Sequence, residues 1–193
     1  MIAALVLAAG QSLRMGQAKM TLPWGQTTVI GKVVGTLLEG GISDLLIVTG
    51  GNQAALKKTL GLYPIEFVFN PDFANGEMIS SVQVGLRHLY GRSEAALISL
   101  GDQPQIENSV VKAVIEEYLS HKSKIVVPSY QMRRGHPWLI ARSLWDEILA
   151  LNPANTLRDY LNSHQDFISY VSLDTPSILQ DLDTPDDYKQ FNP

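Results

Sequence analysis

Five short, nearly unbroken apolar runs mark the first two thirds of the chain: Ile2–Ala8, Leu45–Thr49, Ile65–Phe69, Ala95–Leu100 and Lys124–Val127. A strand with one wet face alternates apolar and polar residues, whereas continuous runs of this kind belong to strands covered on both faces. The stretches between them carry apolar residues at helical spacing. Thr28–Leu38 closes at Gly40-Gly41, Asn52–Leu60 at Gly61 and Ile79–Tyr90 at Gly91. Ser109–Leu119 places Val110, Val111, Val114, Ile115 and Tyr118 on one face, with Lys112, Glu116 and Glu117 outside. Strand and helix in alternation predict an α/β three-layer sandwich with a mostly parallel mixed sheet, Rossmann-like in its layering. At 193 residues the chain fits a single domain, 1–193, since cores stop growing only near roughly 250–300 residues. After Pro128 the rhythm loosens. Leu144–Leu149 and Leu157–Leu161 are expected to be helical, the latter capped by Asn155. Ile168–Leu173 is expected as a strand, and the tail from Pro185 as a short helix.

Charge and composition remove several function classes. The chain has 15 Lys and Arg against 19 Asp and Glu, which argues against a nucleic-acid binder held by phosphate contacts. With no cysteine, it has no disulfide, zinc–cysteine site, iron–sulfur cluster or thiol nucleophile. The longest apolar stretch, Ile2–Ala9, is less than half the roughly 20 residues of a membrane helix. No basic residue precedes it, as a signal peptide would need, so a cytoplasmic protein without membrane partners is expected.

The first apolar run leads directly into Gly10-Gln11-Ser12-Leu13-Arg14-Met15-Gly16-Gln17-Ala18-Lys19. Glycines let a backbone turn sharply and bring amides close to an anion, and ligands in open α/β sheets bind beyond the carboxyl ends of the strands. The loop is neither a dinucleotide fingerprint, because position 12 is not glycine, nor a P-loop, because five residues separate its glycines and Gln17-Ala18 follow. Its two cations, Arg14 and Lys19, suit a polyphosphate. A solvated loop with incidental charges is the plainer alternative. Asp102 ends the fourth run, where a carboxylate can join substrate phosphates in holding Mg²⁺ or merely make a turn before Pro104. Asp181-Leu182-Asp183 puts two carboxylates on one side of an extended chain, unless Asp183-Thr184-Pro185 only caps the last helix. Arg133, Arg134 and His136 could receive an anion. Trp24 alone among the tryptophans is a possible stacking platform.

Six segments together carry a resemblance. Leu7-Ala8-Ala9-Gly10-x-Ser12-x-Arg14-Met15-Gly16-x-x-Lys19 is followed by Met20-Thr21-Leu22-Pro23-Trp24, by Asn70–Gly76 with Ser80-Ser81-Val82, by Gly101-Asp102-Gln103-Pro104, by Gly135-His136-Pro137 and by Asp181–Tyr188. In this order they resemble the nucleotidyltransferases built on the nucleotide-diphospho-sugar transferase fold, and within them the molybdenum cofactor cytidylyltransferase family. The resemblance implies transfer of CMP from CTP to molybdenum-loaded molybdopterin, with Arg14 and Lys19 as catalytic cations. It implies nucleotide contacts from Leu7, Ala8, Ala9, Gly10, Asn75, Ser80, Gly101 and Asp102. Mg²⁺ (or Mn²⁺) would sit on Asp102 with Asp183 or Asp181. Arg134, His136 and Arg158 would serve the pterin, and a molybdoenzyme could receive the product. The alternatives are GMP transfer to the same pterin, nucleotidyl transfer to a sugar or alcohol phosphate, and a non-catalytic cofactor carrier. The sister guanylyl family usually has Leu-Ala-Gly-Gly where this chain has Leu7-Ala8-Ala9-Gly10, which favours CTP. As residues of loops, Lys19 and Asp102 are expected to tolerate substitution with little loss of stability.

Overall fold

Seven apolar residues at the amino terminus form β1 (Ile2–Ala8), an inner strand of the sheet. The structure, a computed structural model, describes residues 1–10, 18–74, 77–152 and 154–193. After a single 3-10 turn at Lys19–Thr21, a small ribbon of β2 (Pro23–Trp24) and β3 (Thr27–Thr28) leads into α1 (Val29–Glu39). Then come β4 (Asp44–Thr49), α2 (Gln53–Leu60), β5 (Glu66–Phe69), α3 (Met78–Leu89), β6 (Ala95–Leu100) and α4 (Asn108–His121). The rest of the chain forms β7 (Ile125–Tyr130), β8 (Arg133–Arg134), β9 (Trp138–Ala141), α5 (Trp145–Leu149), α6 (Leu157–Ser163), β10 (Ile168–Ser172) and α7 (Pro185–Phe191).

The strand order is β10-β7-β9-β6-β1-β4-β5, with β8 beside β7. β6, β1, β4 and β5 run parallel, and so do β7 and β10. β9 is antiparallel to both of its neighbours. Successive side chains of a strand point to opposite faces, and β1 divides accordingly. Ala4, Val6 and Ala8 pack with α1, α2 and α4, while Ala3, Leu5 and Leu7 pack with α3, α5 and α6. This is the expected α/β three-layer arrangement.

Local chemistry sets the helix ends. The Thr28 hydroxyl accepts from the Gly31 amide at 3.1 Å to open α1. Gly41, just past its end, has φ +98°, a conformation that side chains with a Cβ rarely adopt. α6 is capped by Thr156 rather than Asn155. Thr156 and Asp159 form a reciprocal capping box that satisfies two otherwise orphaned amides. Thr184 and Asp187 do the same for α7.

Two elements depart from the sequence expectation. β9 is only four residues long, and no apolar run announced it. It is created by a reversal at Gln131 and Met132, both at positive φ, which returns the chain between β7 and β6. Trp24 is no stacking platform. It is 6% exposed and packs against Val29, Leu182 and Tyr188, under the last helix. Among the described residues no helix is long and apolar enough to cross a membrane.

Candidate active site

The parallel strands β1, β4, β5 and β6 all end on the same edge of the sheet, so the segments that follow them share one crevice. The Gly101 amide donates to the Leu7 carbonyl at 3.0 Å, joining the ends of β6 and β1. A Cβ on Gly101 would meet Ile30, the Leu7 carbonyl and Met20 at 3.0–3.1 Å, so glycine keeps this strand end close to the 3-10 turn that carries Lys19. Leu7, Ala8 and Ala9 are buried at the end of β1. Gly10 is exposed, and a Cβ there would meet nothing within 4 Å. Arg14 and Asn75 lie outside the described residues.

Lys19 is the centre of the crevice floor. Only 8% exposed, it donates from Nζ to Asp102 Oδ2 at 2.6 Å, to the Leu182 carbonyl at 2.9 Å and to Asp183 Oδ1 at 3.4 Å. The Leu182 amide in turn donates to the Asp102 carbonyl at 3.2 Å, pinning the segment before α7 against the end of β6. Leu182 itself is fully buried beside Trp24 and Val29, which fixes Asp181 and Asp183 on the outward side of the segment. The alternatives for these two residues separate here. Asp183 faces Lys19, and helix capping falls to Thr184. Asp181 accepts from Gln103 Nε2 at 2.6 Å and lines the neighbouring cavity. Loss of water around the Asp181 carboxyl holds it above the ordinary range, against the lowering pull of the Gln103 hydrogen bond.

Lys19 and Asp102 are not the solvated loop residues that the expectation of little loss of stability assumed. Both take part in a partly buried ion pair spanning 83 residues of sequence, and removing one partner would leave the other poorly compensated.

That neighbouring cavity, about 520 Å³, is lined by Gln103, Arg133, Arg134, His136, Arg158 and Asp181, with apolar residues between. Arg134 donates from Nε to the Tyr170 hydroxyl at 2.8 Å and from Nη1 to Asn162 Oδ1 at 2.7 Å. Arg133, Arg134 and Arg158 form no ion pair among the described residues. His136 cannot be an additional cation. Its ring stacks on Trp138 at 4.3 Å between centroids, and Nε2 is closed off without a hydrogen-bond partner. Burial, with the nearby Arg158 charge, lowers its pKa to about 4, so it is neutral at pH 7. It borders the expected anion site as a neutral ring, held by its amide hydrogen bond to the Ile178 carbonyl at 3.2 Å. Sequence reasoning passed over Gln103, which is 2% exposed and links the two halves of the site; its position directly after Asp102 was the available signal.

On the opposite rim, Ser80 braces the β5–α3 turn. Its hydroxyl donates to the Glu77 carbonyl and accepts from Asn70 Nδ2, both at 2.9 Å. Asn70, fully buried, also donates to Ser81 at 2.9 Å.

A crevice at the carboxyl edge of a parallel sheet, holding a cation between carboxylates and lying beside an arginine-lined cavity, is where open α/β sheets bind their ligands. Solved structures share this fold. The solved structure of Rv0371c from Mycobacterium tuberculosis H37Rv superposes with a TM-score of 0.85 at 28% identity, covering 98% of this chain and 96% of that one. A nucleotidyl transferase from Methanothermobacter thermautotroptrophicus shares the fold, with a TM-score of 0.85 at 23% identity over 100% of this chain and 96% of its own. The MobA-like NTP transferase domain model matches residues 4–167, and the chain belongs to that family. It is an enzyme of the nucleotidyltransferase type. Among curated relatives, the molybdenum cofactor cytidylyltransferase of Escherichia coli (strain K12) is 26% identical over 186 residues, 95% of this chain and 92% of the relative. The nicotine blue oxidoreductase of Paenarthrobacter nicotinovorans is 27% identical over 193 aligned positions, with the same two coverages.

Proposed function

We propose that this enzyme transfers CMP from CTP to the terminal phosphate of molybdenum-loaded molybdopterin, releasing pyrophosphate, in the cytoplasm. One observation carries the reading furthest: the Lys19–Asp102–Asp183 cluster lies beside a cavity whose arginines have no carboxylate partner among the described residues. The likeness to the E. coli cytidylyltransferase and the Ala8-Ala9 pair support CTP as the donor.

The acceptor is already an anion, so no general base is needed to make a nucleophile. What the protein must supply is alignment and charge neutralisation. An acceptor phosphate oxygen attacks the α-phosphorus of CTP, and the bond to the β-phosphate bridging oxygen breaks as pyrophosphate leaves. Lys19, with Arg14, would neutralise the charge gathering on the leaving phosphates. The exposed turn at Gly10 would offer backbone amides to the phosphates, while Leu7, Ala8, Ala9, Gly101, Asn75 and Ser80 would shape the walls around CTP. Arg134 and Arg158 would draw in the acceptor, with His136 as a neutral surface against its ring.

The donor set suits a divalent cation. Two carboxylates and the Leu182 carbonyl already surround a positive charge, and Mg²⁺ takes oxygen ligands, typically one or two carboxylates with phosphates and water. Among the described residues no group of three or more His, Cys, Asp and Glu forms a metal cage. Asp102 and Asp183 would hold Mg²⁺ or Mn²⁺, and the ion would polarise the phosphates when bound.

Pyrophosphate release with CTP, GTP and ATP, each with and without molybdenum-loaded pterin, tests the reading. Release with CTP that depends on the pterin is expected. Equal rates with GTP would point to a broader donor site. Release with a sugar phosphate instead would move the acceptor, and binding without release would favour a carrier that hands its cofactor to a molybdoenzyme. Oxidation or reduction of nicotine blue would favour the chemistry named for the Paenarthrobacter relative.

A further inference from the structure

The position of Lys19 has a consequence for how metal reaches the site. Its ammonium, on the crevice floor, is held inside an oxygen cluster, with Asp102 Oδ2, the Leu182 carbonyl and Asp183 Oδ1 at 2.6, 2.9 and 3.4 Å. At 8% exposure, Lys19 already occupies the buried side of this cluster, and its ammonium uses the oxygens a second cation would need. A divalent ion on the same oxygens would stand beside the Lys19 ammonium in a partly buried place, where like charges repel strongly.

We propose that Lys19 is a resident counter-ion that must leave the Asp102–Asp183 pair before a divalent cation can enter, and that a polyphosphate drives the exchange by offering the displaced ammonium a new anionic partner. The inference rests on the reading of the crevice as a nucleotide site. Its consequence is a binding order. Metal alone binds weakly, nucleotide and metal strengthen each other's binding, and the carboxylates are never left bare. The Lys19 side chain has the length and rotatable stem that such a swing requires, as a planar arginine fork would not. The 3-10 turn at Lys19–Thr21 fixes its backbone, anchored by the Thr21 amide to the Ala18 carbonyl at 3.1 Å, so that the motion is confined to the side chain.

The experiment is Mn²⁺ binding without nucleotide, followed by electron paramagnetic resonance on the full chain. Wild-type protein and Lys19→Arg, which keep the cation, should bind Mn²⁺ weakly. Lys19→Met should bind it about tenfold more tightly or better, and Lys19→Met/Asp102→Asn should lose that gain. Equal affinity in wild type and Lys19→Met, or a gain that survives Asp102→Asn, would overturn the proposal. Should Lys19→Met fail to fold, the wild-type protein gives the answer by ¹⁵N NMR of its lysine ammonium groups. The Lys19 signal should shift with the same midpoint as Mg²⁺ saturation, and a saturated site with an unmoved signal would show that the two cations coexist. Pyrophosphate release keeps the two readings apart. The Mn²⁺ pattern without CTP turnover leaves the exchange standing and removes the proposed reaction. CTP turnover without the Mn²⁺ pattern does the opposite.

Discussion

The two sides of the crevice handle charge in opposite ways. On the side proposed for CTP the cation is already matched, with Lys19 held between Asp102 and Asp183 and nearly sealed from water. On the side proposed for the acceptor, Arg133, Arg134 and Arg158 stand at a cavity without ion pairs among the described residues, Arg134 with the neutral partners Tyr170 and Asn162, and burial keeps the histidine beside them uncharged. A matched pair costs little while it waits but must be broken for binding. Unmatched surface arginines keep an electrostatic pull on an incoming anion, at the expense of mutual repulsion. The first arrangement couples binding to rearrangement, and the second favours rapid capture.

The largest effect that would break this comparison is at Asp102. Asp102→Asn should abolish turnover and also destabilise the protein by about 3 kcal/mol, because the Lys19 ammonium loses its closest partner. Urea unfolding beside an activity assay checks both, and an unchanged midpoint would show that the pair is not structurally matched. The protonation state of His136 comes next. Its folded pKa lies below its ordinary value, so its contribution to stability is present above pH 6.5 and lost as pH falls toward about 4. That loss should be on the order of 3 kcal/mol. Thermal melts across this range should show it in wild type and much less of it in His136→Gln. A histidine that is charged at pH 6 by NMR would return it to the anion site.

Arg134→Ala and Arg158→Ala should each raise the acceptor concentration needed for half-maximal rate, by about 1.5–3 kcal/mol per lost charge-assisted contact, and leave the CTP requirement nearly unchanged. Kinetic silence toward both substrates would reduce this cavity to solvated surface. The smallest effect concerns the caps. Thr156→Ala and Thr184→Ala should each cost about 1 kcal/mol of stability. Only Thr184→Ala should also slow turnover, since Asp187, the partner of Thr184, accepts from the Asp183 amide at 3.1 Å. Equal losses of rate in the two variants would detach α7 from the site.

The legibility of the chain divides along the same line. The strands β1, β4, β5 and β6 stood in the sequence within a residue or two, and the fold brings Lys19 to Asp102 at the end of β6. The acceptor side was harder. β9 is too short to show a period, and Arg133 and Arg134 gave no sign that they form a strand beside β7. His136 between glycine and proline read as part of an anion-receiving loop, and its burial against Trp138 shows only in the fold.

What the sequence determined alone is what a short stretch can encode: apolar runs long enough to demand burial on both faces, helix stops, and a glycine turn after the first strand. Tertiary structure decided which groups meet. The partners of Lys19 lie 83 and more residues away in sequence, the separation of Asp181 from Asp183 depends on Leu182 being swallowed by the core, and the neutrality of His136 is a property of its surroundings. Periodicity records whether a residue is buried. Ionic pairing and desolvation depend on neighbours that only the completed fold brings together.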